Sequence, residues 1–287
     1  MNADNTNNTF ASWEDAVAWL RGQPDQTQLV LDCYYDDPLI DAAERYWRSE
    51  EWQAVRERLA GRLGNALDVG AGRGIASYAL AREGFAVTAL EPDPSALVGA
   101  AAIRSLAAES QLPITVVEEF SERLPFADGC FDVVFARAVL HHTRDLEAAC
   151  REFFRVLKPG GLFLAIREHV ISSPADLPCF LELHPLHRLY GGEHAFLLNE
   201  YVAALERAGF AKPDVVSPWR SPLNFAPYTL ETLKDELAQR VVRRLPGLCR
   251  VTRGLLDVPG VWPLLRAILE RVDHRPGRLY SFVARRV

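Results

Sequence analysis

Residues 67–77, LDVGAGRGIAS, constrain this chain more than any other stretch. Apolar Ala66, Leu67 and Val69 lead into Gly70, Gly72 and Gly74, after which Tyr78, Leu80 and Ala81 fall at helical spacing. That succession reads as strand, tight turn and helix. Glycine takes positive φ without steric cost, and lacking a Cβ it lets a ligand lie directly against the backbone. The helix that follows points unpaired N–H groups at whatever sits there. A dinucleotide fingerprint would place a small residue at the sixth position of the turn; counting from Gly70, that position holds Ile75. The pattern is instead D-x-G-x-G-x-G, with Asp68 ahead of the first glycine. A purely structural strand-to-helix turn would look similar, so further residues have to decide.

Residues 86–90 read as a second strand that ends at Glu91, followed by Pro92 and Asp93. A carboxylate at the tip of the second strand can accept hydrogen bonds from both hydroxyls of a ribose, which serves NAD and S-adenosylmethionine (SAM) alike. The choice between them comes from residues 124–161, LPFADGCFDVVFARAVLHHTRDLEAACREFFRVLKPGG. With the glycine turn, this segment closely resembles the LPF, FD-V, HH and RVLKPGG signatures of the class I SAM-dependent methyltransferases, of the small-molecule, methyltransferase-11 or ubiquinone-methyltransferase-like type. The resemblance covers residues 64–169. It implies SAM as cofactor and S-adenosylhomocysteine as product. It assigns Gly70, Ala71 and Gly72 to the methionine moiety, Glu91 and Pro92 to the ribose, and the backbone near Ala136 and Arg137 to the amino group. Asp68 either orients the turn, meets the amino group through water, or simply holds loop N–H groups. One position departs from the family. Where members commonly place an Asp for the adenine amine, four residues before Leu124, this chain has Phe120, flanked by Glu119 and Ser121 as substitute partners for the ring.

Composition is that of an ordinary globule: 287 residues, 49% hydrophobic and 24% charged, enough to bury a full core. The net charge of −6 argues against a general nucleic-acid binder. Basic character is confined to residues 240–278, where arginines outnumber Asp257, Glu270 and Asp273. No apolar run is long enough for a membrane span. The start, MNADNTNNTF, has neither a basic region nor an apolar core, and is expected to fray. Cys33, Cys130, Cys150, Cys179 and Cys249 are scattered without a C-x-x-C, as expected of reduced thiols in the cytoplasm.

Strands and ten-to-fifteen-residue helices alternate from Ala66 onward, which predicts an α/β, Rossmann-like, doubly wound sheet of seven mostly parallel strands, with ligands at their carboxyl ends. Strands are expected at 66–69, 85–90, 113–118, 131–136, 161–167, 210–216 and 279–284, the last antiparallel between its neighbours in the resembling fold. Four parts follow: an N-terminal helical cap (1–63), an α/β core (64–217) carrying an acceptor lid (170–197), a helical insertion (218–276) and the final strand (277–287). Cap helices are expected over 37–48 and 49–59, and a short one after Ser12 that Pro24 stops. Tyr34, Tyr35 and Tyr46 either line the site or pack on the core. Helix 261–272 carries an apolar stripe of Trp262, Leu265, Ile268, Leu269 and Val272, which either packs inward or makes peripheral contact with a lipid surface.

Six of the seven histidines lie between 141 and 194. His184, His187 and His194 could ligate a metal, but their spacing fits no closed set, so no metal site is assigned. They could order the loop. Or histidines hold and deprotonate an alcohol acceptor, as a neutral imidazole near pH 7 suits general-base work: His169 or His142 is then the base and Glu168 its orienter, with His141, Arg167, His184, His187, Tyr190 and His194 around the acceptor. Arg137, Arg144, Arg167 and Arg188 could hold an anionic group or be solvated. The resulting expectation is a methyltransferase, monomeric or homodimeric, that methylates an oxygen of a small molecule from sugar, lipid or natural-product metabolism. A nucleoside-binding module without turnover and a nicotinamide oxidoreductase are the alternatives.

Overall fold

In the run FDVVFAR alternate side chains point to opposite faces of a sheet, and both faces are apolar, as a strand covered on both sides requires. The computed structural model, which describes residues 10–244 and 249–287, places that run at its centre. Residues 1–9, where fraying was expected, lie outside the described residues. The strands are β1 (Gly64–Val69), β2 (Phe85–Leu90), β3 (Ile114–Val117), β4 (Phe131–Arg137), β5 (Leu157–Ile171), β6 (Phe196–Leu197), β7 (Asp214–Val216) and β8 (Arg278–Arg285). They order as 3-2-1-4-5-8-7, with β8 antiparallel to both β5 and β7 and the two-residue β6 beside β5. The seven expected strands are present and mostly parallel, and β6 is an addition.

Helices are α1 (Trp13–Arg21), α2 (Thr27–Asp32), α3 (Leu39–Trp47), α4 (Glu50–Leu59), α5 (Ile75–Arg82), α6 (Ala100–Ser110), α7 (Leu146–Val156), α8 (Leu177–Leu183), α9 (Leu198–Ala208), α10 (Leu230–Arg244), α11 (Cys249–Leu256) and α12 (Val261–Val272). Local chemistry accounts for several of their starts. The Ser12 hydroxyl accepts from the Asp15 N–H at 3.0 Å, Ser49 from Trp52 at 3.1 Å, and Asp145 from Ala148 at 2.9 Å, each satisfying a first-turn donor. The pleat then divides the core in two. Val133 and Phe135 of β4 face a cluster with Tyr46, Trp52 and Leu80 of α3, α4 and α5, whereas Val134 and Ala136 face Phe153 of α7 and Tyr201 and Leu205 of α9. Tyr34 and Tyr46 meet edge to face at 5.4 Å, Tyr46 packs on Trp52, and Tyr35 packs on Trp13, so these tyrosines build the cap.

Helix α6 begins only at Ala100, because Gly99 is extended and the Ala100 N–H reaches back to the Asp93 carbonyl at 2.7 Å. Within 170–197, β5 runs on to Ile171, and α8 accommodates Pro178 in its first turn, where no N–H is needed. The described residues of the insertion form α10, α11 and α12. In α12, Trp262 and Leu269 pack against a cluster of Trp219, Phe225 and Leu233, while Leu264, Ile268 and Val272 are exposed. Among the described residues no helix is long and apolar enough to cross a membrane.

Candidate active site

The register of the parallel strands decides which side chains meet. Val69 of β1 pairs with Leu90 of β2 and with Ala136 of β4, so the three chains leave the sheet at one level, with Gly70, Glu91 and Arg137 next in line. This is where the strand order reverses, the position at which open α/β sheets bind ligands.

Gly70, Gly72 and Gly74 all have positive φ (58°, 54° and 83°). A Cβ added to Gly70 would stand 2.8 Å from Val139, whereas one on Gly72 would find only the Val98 carbonyl at 4.0 Å. The turn is closed by protein at its start and bare at Gly72. Glu91 braces it, accepting from the Gly72 N–H at 2.7 Å and the Asp93 N–H at 3.0 Å, and the Ala71 N–H bonds the Leu90 carbonyl at 3.0 Å. Burial pushes the Glu91 carboxyl up to about 7 against the pull of those two N–H groups. Asp68 is buried behind the turn and accepts from the Ser77 hydroxyl at 2.6 Å; burial takes it to about 7 as well. The bond it makes there holds Ser77 in the first turn of α5. Beyond β3, Glu119 accepts from the Phe120 N–H at 3.2 Å, and the Ser121 hydroxyl donates to Glu122. The Phe120 ring is 52% exposed and carries the Arg144 guanidinium 5.1 Å over its face.

Two of the arginines considered for an anionic acceptor, Arg137 and Arg167, are engaged by protein groups. Arg137 reaches Glu51 of α4 at 2.6 Å and lies over the Tyr46 ring, and Arg167 reaches the same carboxylate at 3.4 Å and the Ala226 carbonyl at 2.8 Å. Burial would raise the Glu51 carboxyl, but Arg137 and then Arg167 hold it below its ordinary range. Neither Glu51 nor Arg73 was singled out from the sequence. Arg73, buried inside the glycine turn, donates to the carbonyls of Tyr34 and Asp36 and to the Asp37 carboxylate, and so ties the turn to the cap. A charged residue inside an otherwise small-residue turn was the available signal.

The histidines gather at the ends of β4 and β5. Glu168, fully buried, accepts from the Val139 N–H, the His141 N–H and His141 Nδ1, the last at 2.7 Å. It therefore orients His141, and not His169 or His142 as expected, because the left-handed Arg167 (φ 62°) turns the strand just before it. His169 Nδ1 lies 2.9 Å from the Gly277 carbonyl and His142 Nδ1 lies 3.0 Å from the Gly192 carbonyl. A carbonyl only accepts, so in both rings Nδ1 carries the proton and Nε2 holds the lone pair. Gly191 and Gly192, both at positive φ, turn the lid segment back so that Glu193 reaches His141 Nε2 at 3.5 Å and His142 Nε2 at 3.7 Å. Burial would lower His141, but Glu168 and Glu193 push it up to about 9. Burial lowers His142, and it lowers His169 far below its ordinary value with help from the charge on His141. His184 accepts the His187 N–H at 3.4 Å, both ring nitrogens of His187 are buried without partners, and His194 packs on Phe196. The sequence trio of His184, His187 and His194 does not converge. Tyr190 packs against Trp13 of the cap.

Residues 67–165 match a family described as a methyltransferase domain. That third of the chain is a methyltransferase domain. Among relatives, the ubiquinone biosynthesis O-methyltransferase of Methylobacterium nodulans is 40% identical over 34% of this chain and 39% of its own length. A demethylmenaquinone methyltransferase of Chlorobaculum parvum is 32% identical over 48% of this chain and 55% of its own. The chain thus spans about half the length of these relatives. The geranyl diphosphate C-methyltransferase of Streptomyces coelicolor, solved with Mg2+, geranyl-S-thiolodiphosphate and S-adenosylhomocysteine, superposes with a TM-score of 0.58 at 17% identity, covering 89% of this chain and 84% of that one. At that identity the likeness is one of fold. The methyltransferase domain contains the glycine turn, Glu91, His141 and His142, whereas Arg167, Glu168, His169 and Glu193 lie past its matched end.

Proposed function

We propose that this chain transfers a methyl group from SAM to an oxygen of a small-molecule acceptor. The observation that carries the reading is the pairing of a bare Gly72 with Glu91 at the switch point of a methyltransferase domain. The residues fit the cofactor: no protein atom lies closer than 4.0 Å to where a Gly72 side chain would be, and a carboxylate that already accepts two N–H bonds retains lone pairs for ribose hydroxyls. Bound there, SAM supplies an electrophilic methyl on a sulfonium, and most of the acceleration comes from alignment. An alcohol acceptor must also lose its proton. We take His142 as the base: its side chain is 42% exposed, burial favours its neutral form, and with Nδ1 bound to the Gly192 carbonyl its lone pair is on Nε2, 3.7 Å from Glu193. The acceptor proton passes to that nitrogen, the O–CH3 bond forms and the S–CH3 bond breaks. The oxygen assignment draws on the O-methyltransferase relative, and the acceptor class is a metabolite of the sugar, lipid or natural-product kind.

Calorimetry with SAM, S-adenosylhomocysteine and NAD tests the cofactor: the adenosyl ligands bind and NAD is silent, and the opposite pattern would refute it. Turnover with a screened acceptor then separates the enzyme from a nucleoside-binding module. His142→Ala is expected to lower kcat about 10²- to 10⁴-fold with unchanged SAM affinity; an undiminished kcat removes its role. Affinity also carries a pH signature. Ribose hydroxyls donate to an ionised Glu91, so binding favours the deprotonated form of a group that sits at about 7 in the free protein. SAM affinity is expected to fall as the pH drops through about 7, and Glu91→Gln to flatten that dependence.

A further inference from the structure

We propose that His141, His169 and Glu193 form a binding site for a divalent transition-metal ion. One ligand atom from each of the three lies within 4.8 Å of the other two, the one such group of metal-ligating side chains among the described residues. The three come from separate parts of the chain: the turn after β4, the end of β5 and the lid segment. Two imidazoles and a carboxylate are a donor set suited to zinc or ferrous iron, with at least one coordination position left for water or substrate.

Three features of the geometry suit the group to an ion. First, both rings are anchored through Nδ1, and the ion would replace the proton that His141 carries on Nε2. His141 Nδ1 is held by the buried Glu168 carboxylate at 2.7 Å and His169 Nδ1 by the Gly277 carbonyl at 2.9 Å. Ligating histidines anchor their other ring nitrogen to a carboxylate or a backbone carbonyl in this way, which turns Nε2 toward the ion. Second, one oxygen of Glu193, Oε2, is buried without a hydrogen-bond partner, and the side chain as a whole is only 9% exposed. In the free protein the charged His141 ring faces this oxygen, and a bound ion would take over that pairing with a direct bond. Third, that oxygen stands 3.5 Å from His141 Nε2, close to the separation of about 3.3 Å between neighbouring donors around a tetrahedral ion with bonds of about 2.0–2.1 Å. His142 and His184 stay outside the set, His142 because it faces solvent and His184 because its Nδ1 accepts the His187 N–H.

An ion held there fastens the lid segment to the core through Glu193. On the methyl-transfer reading, which this step alone assumes, the remaining position receives the acceptor oxygen and makes its proton easier for His142 to remove. Binding itself is measured without turnover, so the two readings fail separately. The full chain, stripped with a chelator and dialysed, is titrated with Zn2+ by calorimetry and loaded with Co2+ for visible absorption. One equivalent of Zn2+, a raised Tm and the intense visible bands of low-coordinate cobalt are expected. Glu193→Gln and His169→Asn should abolish stoichiometric binding, Glu168→Gln should weaken it about 10- to 100-fold, and His194→Asn should leave it unchanged. Absence of binding in the stripped wild type, or binding that the Glu193 and His169 variants retain, overturns the proposal. The cobalt spectrum of the wild type decides even if a variant fails to fold.

Discussion

Glu51→Ala is expected to lower the free energy of unfolding by about 3–5 kcal/mol, the cost of breaking a buried ion pair from one side. Glu51 is 3% exposed and faces two guanidiniums, Arg137 and Arg167, that have little water to turn to. Removing the carboxylate leaves two like charges without their shared partner, Arg137 lying against the Tyr34 and Tyr46 rings. Urea unfolding at neutral pH, with an unchanged slope and a lower midpoint, is the check; a midpoint within error of wild type refutes the pairing. The pH dependence has a definite sign. Because the folded state holds this carboxyl below its unfolded value near 4.5, its contribution is complete above that pH and is lost as pH falls through the depressed value. The difference between variant and wild type is therefore expected to shrink in acid.

Gly72→Val is expected to weaken SAM binding at least 100-fold, or about 3 kcal/mol, while costing the fold only about 1–2 kcal/mol for a β-branched residue at positive φ. The asymmetry follows from the surroundings, because the Val98 carbonyl oxygen, 4.0 Å from where the new Cβ would stand, is the nearest protein atom outside the turn, and the added volume falls where the ligand has to lie. Gly61→Val supplies the control. Gly61 is also left-handed, at φ 72°, and has nothing within 4 Å, but it lies before β1. It should show the strain and leave binding alone, as measured by calorimetry and thermal unfolding together. Equal affinity in wild type and Gly72→Val removes the backbone cradle from the account.

What the chain's sequence reveals and what it hides divide along a physical line. The strand, turn and helix around Gly70, Gly72 and Gly74 are legible because each decision is local: an apolar run, residues that tolerate positive φ, a helical period. The sheet follows from alternation, and the level at which Gly70, Glu91 and Arg137 emerge follows from a parallel register with no offset between β1 and its neighbours. Glu51 is different. Its position in an amphipathic helix marks nothing, and its meaning comes from a partner 86 residues away. Glu168 was visible as a candidate, but its partner was not, since a left-handed Arg167 decides which histidine it meets. Helix α8 is less legible, because Pro174 and Pro178 interrupt the helical pattern even though proline is tolerated at the start of a helix.

The guanidinium of Arg73 enters the space beneath the cap and finds its acceptors there, in the carbonyls of Tyr34 and Asp36 and the carboxylate of Asp37. Residues 34–37 are therefore part of what keeps the ligand-bearing turn in shape, and an excised α/β unit would lose all three of these acceptors at once. The boundary at residue 63 marks a change in sequence pattern, and these bonds tie the two sides of it together.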